Sequence, residues 1–380
     1  MTDIAPNPTT RTEIELPVTS PGTRRALTVL RFGTPGARPK AYLQAGLHAD
    51  EFPGMLTLRH LAARLEEAAT RGEITGEIVV VPVANPIGLG QQINGFLLGR
   101  YDFATAGNYN RDYPDLAALI GSSLDGQLGD DEASNVAAIR AAMTEALAGL
   151  TPATAVDVLR HHLLTLAHDA DFVLDLHADN EAALHLYVGT PLWPSALDLA
   201  SEIDARAVLL AEISGGNPFD EACGGPWWAL AKRYPGLPIP PACLSATIEL
   251  RSNDDVDDRL AEDDARALYR FLERRGVISG SGGTLPKLLC EATPLEAMQQ
   301  IKSPSAGVVC YRRRLGEFIY LGEIVADVID PLGESVPVAA ATDGVLFARH
   351  SQTYAWPGKV IGKIAGAVPL ADRKGKLLTD

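Results

Sequence analysis

Cysteine is scarce and scattered. The 380 residues hold four, Cys223, Cys243, Cys290 and Cys310, with no CxxC pair among them. This usage argues against a cysteine-built metal site and for reduced thiols in a cytoplasmic protein. No run of about 18 apolar residues occurs, so no membrane span is expected. The opening MTDIAPNPTTRTEIELP lacks the basic-then-apolar order of a signal peptide. Positive charge is also short, with 33 Lys and Arg against 48 Asp and Glu. A net charge of −15 speaks against nucleic acid or an anionic membrane as partner. The glycine-rich SGGNPFDEACGGPWW follows no strand–GxxxxGK[ST]–helix pattern, which removes a phosphate cradle. No G-x-S-x-G elbow is present, which removes the serine-hydrolase reading.

What remains is an ordinary globular composition, 46% apolar and 21% charged, with ample material for a core. The length suits one large domain and a smaller one. After two short alternating pieces, TEIELPV and RALTVLRFG, apolar runs alternate with helical patterns. AYLQAGL, EIVVVPVANP, DFVLDLH, ALHLYVG, ARAVLLAEI and LSATIEL read as strands. MLTLRHLAARLEEAATRG reads as a helix on Leu58, Leu61 and Leu65. SNVAAIRAAMTEALAGL, TAVDVLRHHLLTLAHDA and EDDARALYRFLERRG are further helices. The alternation predicts an α/β fold, a sheet covered by helices on both faces. SGGNPFDEACGGPWW reads as a loop over the strand ends, with Trp227 and Trp228 packed beneath it.

The break SGSGG near residue 280 ends this pattern. Beyond it, short strands with turn signals every 8–12 residues predict a small barrel or sandwich. LGEIVADVIDPLG and ATDGVLF resemble the half-motifs of lipoyl- and biotinyl-carrier folds, but the carrier lysine is missing from the turn. The expected division is a catalytic domain over 1–285 and a β module over 286–380, structural or lid-like and not a swinging arm.

Ligands of open α/β sheets gather at the carboxyl ends of strands, and His48, Asn85, His177 and Glu249 each stand at such an end. In QAGLHADEFPGM, His48 and Glu51 form an HxxE pair; taken alone it reads equally as a polar loop before a helix. With His177 from VLDLHAD it becomes two histidines and a glutamate, a zinc set that leaves a position for water. Arg100 and the adjacent Asn110 and Arg111 add cationic and amide donors. A guanidinium fork clamps a carboxylate, and an arginine beside a metal can hold an oxyanion. Glu249, closing LSATIEL, is placed to move a proton from water to a leaving amine.

The order HxxE, arginine, Asn-Arg, DLH, strand-end Glu resembles the succinylglutamate desuccinylase/aspartoacylase family of the zinc carboxypeptidase (M14-like) superfamily, over roughly residues 40–275. The resemblance implies a mixed sheet flanked by helices with a C-terminal β module. It implies one Zn²⁺ on His48, Glu51 and His177, Arg100 at the oxyanion, Asn110 and Arg111 on a substrate carboxylate, and Glu249 as general base and acid. The implied function is a zinc-dependent deacylase cleaving an amide of a carboxylate-bearing N-acyl amino acid. The alternative is a carboxypeptidase-like metallopeptidase acting on short peptides or β-aspartyl-arginine material. HADE stands where the family has HGNE, NYNRDYP where it has DLNRxFP, and the segment before DLH is long and helical, so substrate identity does not carry over. A homo-oligomer is left open.

Four lesser candidates are Asp175, His185, Asp179 and Glu181. Asp175 is either an acceptor behind His177 or an ion-pair partner. His185 reads as a packed strand histidine. Asp179 and Glu181 are candidates to line a pocket for a cationic group.

Overall fold

The computed structural model describes residues 7–375 together with Leu377 and Leu378. Its centre is a nine-stranded sheet: β1 (Thr9–Glu15), β2 (Ala26–Gly33), β3 (Lys40–Ala45), β4 (Glu77–Val81), β5 (Phe172–Asp179), β6 (His185–Gly189), β7 (Ala207–Ala211), β8 (Leu244–Ser252) and β9 (Ala292–Pro294). The spatial order is β1-β2-β4-β3-β5-β8-β6-β7-β9. β4, β3, β5 and β8 run parallel, while β6 lies antiparallel to β8. β3 and β4 are buried at every position, as parallel strands covered on both faces must be.

Five long helices supply the cover. α1 (Pro53–Thr70) and α5 (Asp258–Arg274) pack one face, and α2 (Glu132–Gly149), α3 (Ala155–Ala167) and α4 (Phe219–Arg233) the other. α1 begins on Pro53, whose fixed φ suits a first helical position, and buries Leu58, Leu61 and Leu65. α3 starts with a capping box between Thr154 and Asp157. The expected α/β architecture is present. α4 departs from expectation, because the stretch read as a loop is helical from Phe219 onward. Gly224, Gly225 and Pro226 are poor helix formers, but tertiary packing outweighs propensity here. A Cβ on residue 224 would lie 2.3 Å from the Ser245 Oγ of β8, so glycine is what lets this helix press against the sheet. Trp227 is fully buried beneath it, as expected.

The strands beyond β9 are β10 (Met298–Lys302), β11 (Gly307–Tyr311), β12 (Phe318–Ile319), β13 (Ile324–Ile329), β14 (Ser335–Ala339), β15 (Gly344–Arg349), β16 (Tyr354–Ala355) and β17 (Val360–Gly366). They form two antiparallel sheets, β10-β17-β15-β12 and β14-β13-β11-β16, around their own apolar core. The short strand Glu181–Ala182, just past β5, adds to β15 and ties these sheets to the central one. Two ion pairs reinforce that seam. Arg349 grips Glu181 at 2.6 and 2.8 Å, and Lys363 pairs with Asp179. Both carboxylates proposed for a cationic ligand are therefore already matched by the chain's own cations.

His185 belongs to the same seam. It is fully buried on β6, with Nδ1 2.8 Å from the Ala183 carbonyl and its ring edge-on to Tyr187 and Phe347. Burial pushes its imidazole down to about 4, against an ordinary value near 6.5. Between those values the unfolded chain binds a proton that the native chain refuses, so stability falls as pH drops from about 6.5 through about 4. The contribution is on the order of 3 kcal/mol. Urea midpoints at pH 7.5 and 4.5 should drop less in His185→Phe than in wild type; equal drops would remove His185 from the account.

Candidate metal centre

The turn after β3 sets the geometry. Glu51 N donates to the His48 carbonyl at 3.1 Å, folding HADE back so that both side chains reach one point. The Arg100 segment is laid against this turn through Ala49 N and Gly99 O, 3.0 Å apart. A Cβ at residue 99 would stand 2.6 Å from Asp50 N, so only glycine permits the approach. Asn85, also at a strand end, does not face the site. Its Nδ2 donates to the Leu47 carbonyl at 2.9 Å and holds the turn from behind.

β5 presents Asp175, His177 and Asp179 on one face, as alternate strand residues must be. His177 thereby meets Glu51, 126 residues earlier: Nδ1 is 2.8 Å from Oε2. The His48 Nδ1 is 3.0 Å from the other oxygen, Oε1. Donor atoms of His48, Glu51 and His177 all lie within 4.8 Å of one another, and all three residues are buried. Outward, His177 Nε2 is 2.9 Å from Asp175 Oδ2, and His48 Nε2 is 2.8 Å from Asn108 Oδ1. A neutral imidazole carries one N–H. Spent on the outer acceptor, it leaves Nδ1 as a lone pair aimed at Glu51; Arg100 reaches that of His48 at 3.1 Å, whereas that of His177 faces the Glu51 Oε2 at 2.8 Å, an arrangement that calls for a cation between them. The donor set thus suits a metal ion by its own chemistry.

Without such an ion the ring itself takes the charge. Burial opposes protonation of His177, but Asp175 and Glu51 outweigh it and hold its pKa well above normal. His48, penalised by burial and repelled by Arg100, is pushed down to about 4. Asp175 is fully buried, and Gln44 Nε2 donates to its Oδ1 at 3.0 Å, which settles it as the acceptor behind His177. Asp175→Asn should weaken metal binding by about 10–100-fold, read by competition with a chromogenic chelator; unaltered affinity would show the contact to be incidental.

The other candidates converge on the same place. A cavity of about 110 Å³ is lined by His48, Glu51, His177, Arg100, Asn110, Arg111 and Glu249. Arg100 donates to Glu51 Oε1 at 3.2 Å. Asn110 Nδ2 lies 3.4 Å from His177 Nε2, and its Oδ1 accepts from Phe219 N at 2.8 Å. Arg111 is buried and donates to the Asn110 carbonyl at 2.6 Å. Glu249 pairs in register with His177 across β8 and β5. Its Oε2 is buried with no hydrogen-bond partner among the described residues, and burial, with repulsion from Glu51, pushes its carboxyl up to about 8.

A model of the succinylglutamate desuccinylase/aspartoacylase catalytic domain matches residues 37–274. The chain belongs to this family. Its members are hydrolytic deacylases of small carboxylate substrates. A Shewanella amazonensis protein described as of this family is 28% identical, with a TM-score of 0.82 over 94% of this chain and 98% of its own. A counterpart from Shewanella frigidimarina is 24% identical with a TM-score of 0.83, covering 95% and 98%. The product-bound ectoine utilization protein EutE (DoeB) from Ruegeria pomeroyi shares the fold at 16% identity and a TM-score of 0.69, covering 96% and 97%. No curated protein sequence matches the chain. Among the described residues no helix is long and apolar enough to cross a membrane.

Three cavity or support residues escaped the sequence reading. Asn108 sits two positions before Asn110 in NYNR, a spacing that could have flagged it. Asp220 belonged to the stretch read as loop. Lys363 arrives from β17, and nothing local announces it.

Proposed function

We propose that the chain is a cytoplasmic, zinc-dependent hydrolase that cleaves an amide bond of a carboxylate-bearing N-acyl amino acid. The observation that carries this reading is the convergence of His48, Glu51 and His177 beside an unpartnered Glu249 oxygen. In it, His48, Glu51 and His177 hold the ion, while Asn108 and Asp175 fix the two imidazole tautomers. When bound, a zinc ion supplies Lewis acidity, polarising a carbonyl and acidifying water. Glu249 takes the proton of the attacking water and returns it to the leaving nitrogen; a carboxyl held near neutrality can do both. Arg100, which touches Glu51 and His48 directly, donates to the oxygen that becomes anionic. Arg111, positioned by Asn110, holds the substrate carboxylate in its guanidinium fork.

The division into a catalytic domain over 1–285 and a β module over 286–380 is part of this proposal. Lys363 and Gln300 from the module's strands line the cavity, which supports a role in closing it. The family match supports an acylated amino acid over a peptide chain. Metal analysis of the purified chain, followed by a panel of N-acetyl and N-succinyl amino acids and short peptides, tests the reading. Turnover of peptides alone would replace it with the peptidase alternative, and turnover of neither would refute it.

A further inference from the structure

The central sheet ends differently at its two edges. β9 at one edge is three residues long, closes on Pro294 and lies beside β17. β1 at the other edge runs for seven residues, paired to β2 without a break in register from Thr9↔Phe32 to Glu15↔Ala26. All of its residues but Ile14 are exposed. The hydrogen bonds that flank it fix which backbone groups are spent. Pro8 O accepts from Gly33 N at 3.0 Å, and Leu16 N donates to Arg25 O at 2.9 Å. Antiparallel strands alternate between residues bonded to the neighbour and residues turned away from it, so Thr10, Thr12 and Ile14 bond inward to β2. Thr9, Arg11, Glu13 and Glu15 turn their N–H and C=O groups outward, where no strand of the described residues receives them.

An open edge of this length is a template for another strand, and charged side chains commonly block such pairing. On β1 the charges are ordered so that they favour a second copy. Arg11 and Glu13 stand on either side of Thr12. When the strand meets itself antiparallel with Thr12 opposite Thr12, each Arg11 faces the partner's Glu13. Thr9 then faces the partner's Glu15, so every outward residue meets an outward residue and the free N–H and C=O groups satisfy one another. The adjacent registers are worse. Centring the axis on Arg11 sets two guanidiniums opposite each other, and centring it on Glu13 sets two carboxylates opposite; like charges directly across a ladder are destabilising. Within one chain Arg11 and Glu13 are 4.0 Å apart, at 69% and 62% side-chain exposure, and Arg24 meets Glu15 at 3.5 Å. The first of these pairs is open enough to be exchanged for cross-strand pairs.

We propose that β1 pairs with β1 of a second copy of this chain about a two-fold axis at Thr12, joining the two nine-stranded sheets into one. The interface is isologous, the same patch serving both chains. Main-chain hydrogen bonds supply the attraction, and the alternating side chains select the register. On the face opposite Arg11 and Glu13, Thr10 meets the partner's Ile14. No residue of β1 lines the cavity at the metal centre, so both cavities of the pair stay open.

Sedimentation equilibrium of the full chain over about 0.1–100 µM tests the interface. Wild type should pass from monomer to dimer within that range. Arg11→Glu and Glu13→Arg each convert both cross-strand pairs into like-charge pairs, and each should weaken the dimer by about 10–100-fold. The double reversal Arg11→Glu with Glu13→Arg restores opposite charges and should restore the wild-type affinity. An equimolar mixture of the two single variants should form the heterodimer in preference to either homodimer, because Glu at 11 then faces Arg at 13 and Glu13 faces Arg11. Both side chains lie in solvent, so the fold is not at stake in these variants. A wild-type chain that stays monomeric throughout overturns the proposal. Equal dimer affinity in wild type and both single variants overturns it as well, since the interface then lies elsewhere. A mixture without preference for the heterodimer does the same.

Discussion

Glu249→Gln should lower kcat by about 10²–10⁴-fold, the range for loss of a positioned general base and acid, while the protein keeps its metal. Glutamine preserves the shape of the side chain but can neither accept the proton of water nor return one to a leaving amine. The residue touches none of the three proposed ligands through a hydrogen bond among the described residues, and its buried Oε2 is unpartnered. A drop in kcat with metal content unchanged separates this role from that of the ligands. Near-wild-type turnover in the variant would assign the proton transfer elsewhere. The pH profile adds a second readout. Burial and Glu51 push the Glu249 carboxyl upward, so the acidic limb of the wild-type kcat/KM profile belongs to this group and should be lost from the residual activity of Glu249→Gln.

The larger effect is expected from the ligands. His177→Ala should abolish both activity and stoichiometric metal, because the two remaining donors, His48 and Glu51, are neighbours on one turn and cannot surround an ion. Zinc should also stabilise the wild-type fold. At a thousandfold excess over Kd a ligand contributes about 4 kcal/mol, which appears as a raised melting temperature that EDTA reverses. The variant should show no such shift. Retention of one zinc per chain in His177→Ala would break the proposed centre, because the rest of the set cannot account for it.

How far the sequence discloses this site follows from where its information is local. HxxE lies within one turn, and the period-2 strand VLDLHAD fixes which face His177 shares with Asp175, so the convergence of ligands is legible once strand ends are counted. The two-sided burial of β3 and β4 is legible for the same reason, as continuous apolar runs. What the sequence hides depends on packing between distant segments. The helix Phe219–Arg233 is disguised by Gly224, Gly225 and Pro226, whose cost is offset only by the close contact with β8. The pairing of Asp179 with Lys363 and of Glu181 with Arg349 spans more than 160 residues, and no local pattern reveals that their charge is already spent. Asn85 misleads in the opposite direction: its strand-end position is real, yet its amide serves the backbone of the turn.

The end of the described chain has a practical bearing on any experiment with this protein. Leu377 N and Leu378 N both reach the Ser214 carbonyl, at 2.8 and 3.3 Å, and Leu378 is part of the cavity wall. A substitution at Leu378 therefore alters the room in which substrate sits, whereas one along the strand Thr9–Glu15, exposed over most of its length, leaves that room untouched.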